Sequence, residues 1–88
     1  MEFIHEEGRI YANDESGKVI AEITFPIENG IATINHTFVD TSLRGQGVAG
    51  KLMAAAAEDI RKAGLKAHPT CSYAVKWLGE HSEYSDIM

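Results

Sequence analysis

The stretch of sequence that decides the fold is Asp40-Thr41-Ser42-Leu43-Arg44-Gly45-Gln46-Gly47-Val48-Ala49-Gly50-Lys51, a glycine-rich turn that leads directly into a helical pattern. Because glycine has no Cβ atom, the backbone at positions 45, 47 and 50 can take positive φ values and let a bulky anion approach its N–H groups. The first N–H groups of a helix are unpaired and lie at the positive end of the helix dipole. The stretch therefore predicts a binding site for a phosphate or pyrophosphate group.

Two general nucleotide-binding motifs overlap with this turn, and the surrounding sequence argues against both. Gly45-x-Gly47-x-x-Gly50 has the spacing of the dinucleotide fingerprint, which begins directly after a strand and has an acidic residue about 20 positions further on. Here five residues separate Val39 from Gly45, and Thr70 stands where the acidic residue is needed. Gly45-x-x-x-x-Gly50-Lys51 begins like a P-loop, but Leu52 follows where Ser or Thr must bind magnesium.

A third motif, Arg44-x-x-Gly47-x-Ala49, lies after a strand pattern and before the helical one. It resembles the phosphate-binding motif of the GNAT acyltransferase superfamily, in which Gln or Arg precedes Gly by three positions and Gly or Ala stands two positions after that Gly. The wider string from Val39 to Ala49, together with Pro69-Thr70-Cys71, is similar to small stand-alone GNAT-like proteins. The resemblance covers roughly residues 8 to 85. It implies an acetyl-coenzyme A binding protein.

The composition predicts a single domain formed by residues 1–88. Eight basic and thirteen acidic residues give a net charge of -5, which favours neither nucleic acid nor an anionic membrane as a partner. No apolar run approaches the length of a membrane span, and the first residues lack the basic region of a signal peptide. The single cysteine cannot form an internal disulfide, so we expect a cytoplasmic protein with a free thiol.

Alternating apolar residues predict an antiparallel meander in the first half of the chain. Residues 8–12 and 18–25 flank a loop rich in turn formers and predict a hairpin, to which residues 3–5 add a short strand. After a turn at residues 26–30, we expect a third strand over residues 31–39. One face of this strand should carry Ala32, Ile34, His36 and Phe38.

The second half of the chain predicts a helix, a strand and a short helix. Residues 48–63 have apolar side chains at helical spacing, and Gly64 should end this helix as its C′ residue. Residues 65–70 predict a strand parallel to the preceding one, because a crossover helix connects the two. A last helix over residues 73–79 should pack through Ala74, Trp77 and Leu78. Together with the resemblance, these elements predict an α/β (α+β) fold: a GNAT-like mixed, mostly antiparallel sheet with a central crossover helix and a short C-terminal helix.

Pro69 has no N–H group to donate, so the parallel pairing should fail near the end of its strand. In the GNAT superfamily such a splay admits the pantetheine arm of the cofactor, whose amides pair with the exposed strand edge. The resemblance implies that the strand end binds this arm and that the glycine-rich turn binds the pyrophosphate. The residues expected to bind the cofactor are Phe38, Val39, Arg44, Gly45, Gln46, Gly47, Val48, Ala49 and Gly50.

Cys71 is the first candidate for a catalytic residue. It follows the Pro69 strand and precedes the last helix, and a helix N-terminus favours the reactive thiolate. The alternative is a small buried residue that lines the pocket, since free cysteine is often buried as an apolar side chain. Many superfamily members carry asparagine here, whereas the small proteins that the chain resembles carry cysteine. The resemblance implies that the thioester points toward Cys71.

His36 is the second candidate, because neutral imidazole can act as a general base near pH 7. Many superfamily enzymes place a glutamate base on this strand, yet residues 31–39 contain no carboxylate. The alternative is a structural histidine within the sheet. The tyrosine that often serves as general acid is replaced by Leu78, with Tyr73 as a nearby substitute. We expect no metal site, because no cluster of ligands is present.

The leading functional hypothesis is an acetyltransferase that moves an acetyl group from acetyl-coenzyme A to an amine or thiol acceptor, directly or through Cys71. The alternative is a non-catalytic acyl-coenzyme A binding or regulatory module. Full superfamily domains have further helices and strands that shape the acceptor site. Because the sequence has no room for them between its early strands, the acceptor site should be open, or completed by a partner or by self-association. The acceptor is expected to be an amine, a peptide or a protein.

Overall fold

The computed structural model describes residues 1–88 and contains seven strands and two α-helices. The strands are β1 (Ile4–Glu6), β2 (Arg9–Asn13), β3 (Val19–Thr24), β4 (Ile27–Glu28), β5 (Ile31–Ile34), β6 (His36–Val39) and β7 (Lys66–Pro69). The helices are α1 (Val48–Lys62) and α2 (Ser72–Glu80), and short 3-10 helices cover Thr41–Leu43 and Ser82–Ile87. Neither α-helix combines the length and the apolar composition that a membrane span requires.

The strands form two sheets that are joined where β5 runs on into β6. In the first sheet the order is β1-β2-β3-β6, and each neighbouring pair is antiparallel. In the second sheet β5 lies between β4 and β7, antiparallel to the former and parallel to the latter. The crossover that leads to β7 contains α1. The predicted α/β (α+β) class, with mostly antiparallel pairing and one crossover helix, is confirmed.

The core lies between α1 and the sheets and consists of 18 buried residues, all of them apolar. The first sheet contributes alternate residues of two strands, namely Ile10, Ala12, Ala21 and Ile23. From α1, Leu52, Ala56 and Ile60 are completely buried. Burial of each large aliphatic side chain contributes about 1.5–3 kcal/mol. This packing holds α1 against the sheet, with its N-terminus close to the end of β6.

The strand expected over residues 31–39 is interrupted at Asn35. The Asn35 N–H donates to the carbonyl of Thr24 over 3.3 Å, and the Thr24 hydroxyl donates to Asn35 Oδ1 over 2.6 Å. This residue shifts the alternation by one position, as a bulge does. Ala32 and Ile34 are therefore buried, whereas His36 and Phe38 are exposed on the opposite side of the sheet. The prediction that all four side chains share a face was wrong.

The predicted helix ends are confirmed at α1. Gly64 has a φ of 72°, a left-handed conformation that suits glycine. Its N–H donates to the carbonyl of Arg61 over 3.1 Å, and the Leu65 N–H donates to the carbonyl of Ile60 over 3.0 Å. This pair of bonds is the Schellman motif. It directs the chain into β7 and so fixes where α2 begins.

The C-terminal segment Ser82–Ile87 was not predicted from the sequence. Its residue Ile87 is buried in the core, and Arg61 holds the segment against α1. The Arg61 guanidinium donates to both Asp86 carboxylate oxygens, over 2.8 and 2.9 Å, and to the carbonyl of Glu83 over 2.6 Å. These contacts join residues far apart in sequence, so no local pattern indicates them.

Candidate functional site

The glycine-rich turn begins with a short 3-10 helix, Thr41–Leu43, that Asp40 caps. The Ser42 N–H donates to Asp40 Oδ2 over 3.0 Å. Hydrogen bonding from Ser42, through its side chain and then its backbone, holds the pKa of Asp40 below its usual value. Lys18 Nζ lies 3.8 Å from the same carboxylate and offsets part of its charge. Asp40 therefore shapes the turn as an ionised cap.

The two glycines that follow have the left-handed backbone that the sequence predicts. Gly45 has a φ of 82° and Gly47 a φ of 69°. A Cβ atom on either residue would meet no other atom within 4 Å, so the backbone conformation, rather than local crowding, is what favours glycine here. Gly50 lacks a positive φ, because it already lies inside α1. Of the three glycines that can take a positive φ, Gly45 and Gly47 do so.

Residues 44–50, which we call the cradle, include five backbone N–H groups without a partner. Among residues 45–50 only the N–H of Gln46 makes a hydrogen bond, to the carbonyl of Leu43 over 3.3 Å. The N–H groups of Gly45, Gly47, Val48, Ala49 and Gly50 have no acceptor in the protein. The N-cap residue Gly47 has no side chain that could cap α1. Five free donors at the positive end of a helix dipole are suited to an anion with several oxygens.

An open cavity of about 270 Å³ lies against the cradle. Its lining contains six of the nine residues expected to bind the cofactor: Val39, Arg44, Gly45, Gly47, Val48 and Ala49. The other three, Phe38, Gln46 and Gly50, do not line the cavity. Asp40, Thr41 and Leu43 do line it and were not predicted, although they belong to the same turn. The structure thus gathers most of the expected residues around one opening.

Arg44 differs from the other two arginines in having no carboxylate partner. Arg9 is paired with Glu6 and Glu22, and Arg61 is paired with Glu58 and Asp86. Arg44 is exposed at the cavity and remains free to bind an anion. A free guanidinium next to unpaired N–H groups adds charge-assisted hydrogen bonds to the site.

An open strand edge leads away from the cavity. β6 pairs only with β3, and the N–H of Asp40 donates to the carbonyl of Ile20 over 2.8 Å. Since backbone groups alternate in direction along an antiparallel strand, Thr37 and Val39 point their N–H and C=O groups toward the open edge. An extended ligand that carries amide groups could therefore pair with this edge as another strand would.

The parallel strands separate at Pro69, as the sequence predicts. The last pair of the parallel ladder is Ile34 with Pro69. Beyond it the N–H groups of Thr70 and Cys71 both donate to the carbonyl of Ile34, over 2.9 and 3.3 Å. β6 therefore continues without a strand partner on this side.

The two catalytic candidates occupy different places. Cys71 is the N-cap residue of α2, is partly buried against the edge of the core, and makes no side-chain capping bond. His36 is exposed on the outer face of the first sheet, with its Nε2 3.6 Å from Glu22 Oε1. Neither residue lines the cavity. The catalytic roles of both residues stay predictions.

Two further side chains lie next to the cradle. A Cβ atom placed on Gly50 would lie 3.6 Å from Trp77 Nε1 and 3.8 Å from Tyr73 Oη. Burial, with a smaller effect of Glu80, raises the pKa of Tyr73, so its hydroxyl keeps its proton at neutral pH. The sequence predicts a packing role for Trp77 and the role of a substitute acid for Tyr73. Only the glycine at position 50 could have indicated that both reach the cradle.

Comparison with known proteins identifies the family. A family model described as GCN5-related N-acetyl-transferase matches residues 9–87. A GCN5-like N-acetyltransferase candidate from Staphylococcus aureus, with a structure determined by NMR, is 36% identical to the chain. The match covers 98% of this chain and 85% of that one, with a TM-score of 0.80. We found no curated protein that matches the sequence.

More distant structures share the fold. A GNAT family N-acetyltransferase from Escherichia coli, in complex with CoA, is 19% identical and has a TM-score of 0.63 over 86% of this chain. Tetrahymena GCN5 is 16% identical, with a TM-score of 0.65 over 82% of this chain. The matches cover 43% and 48% of those two proteins, so this chain spans less than half of their length.

These comparisons agree with the local geometry. The family model extends over nearly the whole sequence, and its range includes the turn, the crossover helix and Cys71. The unpaired N–H groups lie at the residues that resemble the phosphate-binding motif of the superfamily. The chain therefore belongs to the GCN5-related N-acetyltransferase family.

Proposed function

We propose that the protein binds acetyl-coenzyme A and transfers its acetyl group to an amine or thiol acceptor. The observation that carries this proposal is the set of five unpaired N–H groups in the cradle, next to the unpaired Arg44. These donors suit the pyrophosphate of the cosubstrate. The E. coli protein with the same fold, determined in complex with CoA, supports a ligand of this type.

The remaining parts of the site fit the rest of such a ligand. The cradle would hold the pyrophosphate, and the open edge at Thr37 and Val39 would pair with the amides of the pantetheine arm. The arm would then run along this edge toward Cys71 at the start of α2. Acetyl-coenzyme A supplies an activated thioester, and the N–H of Val39 is a candidate donor to its carbonyl oxygen.

Two routes for acetyl transfer are compatible with these residues. In the two-step route, the Cys71 thiolate attacks the thioester carbonyl and forms a new carbon–sulfur bond, while coenzyme A leaves as its thiol after taking up a proton. An acceptor amine or thiol then attacks the Cys71 thioester and frees the cysteine. In the direct route, an acceptor amine attacks the thioester carbonyl and gives its proton to a base, for which His36 is the candidate. The carbon–sulfur bond then breaks, and coenzyme A leaves as its thiol after taking up a proton.

A non-catalytic acyl-coenzyme A binding or regulatory module is the second candidate function. It is favoured by the positions of Cys71 and His36, neither of which lines the cavity. The outer face of the first sheet is also uncovered, with Ile4 and Phe38 exposed. We propose that an acceptor site on this side is open, or is completed by a partner or a second copy of the chain.

Release of free thiol separates the two functions. The protein is incubated with acetyl-coenzyme A and a panel of amines and peptides, and free coenzyme A is followed with a thiol reagent. An acetyltransferase releases coenzyme A in proportion to acceptor, whereas a binding module leaves the thioester intact. A parallel NMR titration with coenzyme A should shift the amides of residues 39–51. Unchanged amides at millimolar ligand would contradict both functions.

A further inference from the structure

The candidate base His36 faces a glutamate side chain of the neighbouring strand. Its Nε2 lies 3.6 Å from Glu22 Oε1, on the outer face of the first sheet. The break at Asn35 makes this contact possible, because His36 would otherwise continue the alternation of β5 and face the core. The antiparallel ladder places His36 opposite Thr24, and Glu22 is the next residue of β3 on the same face.

Arg9 holds this glutamate in place. Arg9 Nε donates to Glu22 Oε2 over 2.6 Å, which leaves the other carboxylate oxygen, Oε1, on the side of His36. The Arg9 guanidinium also lies over the ring of Tyr11, 3.8 Å from the ring centroid, and 3.3 Å from Glu6 Oε1. The Glu22 side chain is 22% exposed, compared with 53% for His36. A partly buried carboxylate with a fixed partner therefore lies beside an exposed and adjustable imidazole.

We propose that Glu22 is a positioning residue that orients the His36 imidazole and stabilises its charged form during acetyl transfer, while Arg9 fixes Glu22. The proposal rests on the direct route of the proposed function, because it requires His36 to be the base. Glu22 itself would contact neither the acceptor nor the thioester.

The carboxylate decides which ring nitrogen can act as the base. A negative group opposite Nε2 favours the neutral tautomer that carries its proton on that nitrogen, so Nδ1 keeps a free lone pair. The contact of 3.6 Å is longer than a hydrogen bond. The exposed ring can shorten it by rotating about its last side-chain torsion, and such contacts often tighten once the substrates are bound.

The proton and the bonds can be followed through the step. As the nitrogen of an acceptor amine forms its bond with the acetyl carbon, His36 Nδ1 takes one proton from that nitrogen. The carbon–sulfur bond breaks, and coenzyme A leaves as its thiol after taking up a proton. The imidazolium formed in between lies opposite the Glu22 carboxylate, which lowers its energy. It then returns its proton to the departing thiolate or to water.

Nitrogen-15 NMR of the histidine rings tests the orientation without any acceptor. At about pH 9, where an imidazole is neutral, the shifts of the two ring nitrogens report which of them carries the proton. The difference between the two shifts of His36 should be larger in the unmodified protein than in Glu22→Ala, in which the ring returns toward the tautomer mixture of free imidazole. The signals are assigned by their absence in His36→Gln. An unchanged difference would overturn the proposal.

Kinetics with acetyl-coenzyme A test the effect on the reaction. The acceptor is the amine of the panel that gives the fastest release of coenzyme A. Glu22→Gln should lower kcat by about fivefold and leave the KM for acetyl-coenzyme A unchanged, since the group acts through the base. Arg9→Gln should lower kcat by a smaller factor. Glu15→Gln removes the same charge from a distant loop and should have no effect, which controls for net charge.

The same substitution in a second background separates positioning from other roles. In His36→Gln, the further change Glu22→Gln should not alter the remaining turnover, because no imidazole is left to position. If Glu22→Gln lowers turnover equally in both backgrounds, or in neither, the proposal is wrong while the proposed function stands. If the unmodified protein releases no coenzyme A with any acceptor, the proposed function fails and the proposal fails with it.

Discussion

The polar groups at the two ends of α1 differ in whether they have hydrogen-bond partners within the protein. At the N-terminal end, five backbone N–H groups of the cradle and the Arg44 guanidinium have no partner in the protein. At the C-terminal end, Gly64 and Leu65 close the helix with two backbone hydrogen bonds. Arg61 there makes four hydrogen bonds, to Glu58, Asp86 and the carbonyl of Glu83.

This difference in pairing indicates that the N-terminal end of α1 serves ligand binding, whereas the C-terminal end stabilises the fold. Polar groups without partners do not stabilise the native chain, and their free donors are available to a ligand. Groups that are fully paired hold distant segments together and leave nothing for a ligand to bind. We therefore expect substitutions at the N-terminal end to change affinity with little effect on stability, and substitutions at the C-terminal end to do the reverse.

The largest expected effect follows from Gly47→Val. A β-branched residue is strained at the φ of 69° found here, and its side chain occupies the space of the anion. Binding of coenzyme A should become undetectable at millimolar ligand in an NMR titration. Gly17→Val is the matched control, since Gly17 has a φ of 91° in a distant hairpin loop. If the control abolishes binding as well, a general loss of structure explains the result.

The second prediction concerns Cys71 at the start of α2. If the two-step route operates, intact-protein mass spectrometry after incubation with acetyl-coenzyme A should show one added acetyl group that hydroxylamine removes. Cys71 is the only cysteine, so such an adduct identifies it. Cys71→Ala should lack the adduct and lose acceptor turnover. Full turnover in Cys71→Ala would show that the residue only lines the pocket.

The third prediction concerns His36, which lies on β6 and at neither end of α1. If His36 is the base of the direct route, His36→Gln should lower turnover by about 100-fold and leave the affinity for coenzyme A nearly intact. The His36 side chain is exposed and its Nε2 lies 3.6 Å from Glu22 Oε1, so the loss of this contact should have little effect on stability. Equal turnover in the variant would assign His36 a structural role.

Features that depend on a single residue could be predicted from the sequence, whereas features that depend on contacts between distant residues could not. The cradle, the Gly64 cap and the Pro69 splay were predicted because glycine permits a left-handed backbone at its own position and proline removes a hydrogen-bond donor at its own. The break at Asn35 was missed, since it depends on a hydrogen bond with Thr24 in a neighbouring strand. The side chains near Gly50 were missed for the same reason, because the packing of α2 on α1 decides where Trp77 Nε1 lies.

The fourth prediction concerns Arg44, the unpaired arginine at the cradle. Arg44→Gln should weaken coenzyme A binding by about tenfold at low salt, since a charge-assisted contact to the pyrophosphate is lost. The difference should shrink as salt rises, because exposed charges are screened. Calorimetric titrations at two salt concentrations measure both effects. A lower melting temperature without a change in affinity would show that Arg44 has a structural role, as Arg9 and Arg61 do.

The smallest effect is expected for Arg61→Gln, which should lower the melting temperature by a few degrees at pH 7 and leave coenzyme A affinity unchanged. Arg61 holds the pKa of Asp86 below its ordinary value of 3.8 through their hydrogen bonds. A carboxyl with a lowered pKa stabilises the fold above that ordinary value and loses its effect as the pH falls through the folded value. The difference in melting temperature between the two proteins should therefore persist at pH 7 and shrink well below pH 3.8. A difference that stays constant down to low pH would attribute the effect to the bond with the Glu83 carbonyl instead.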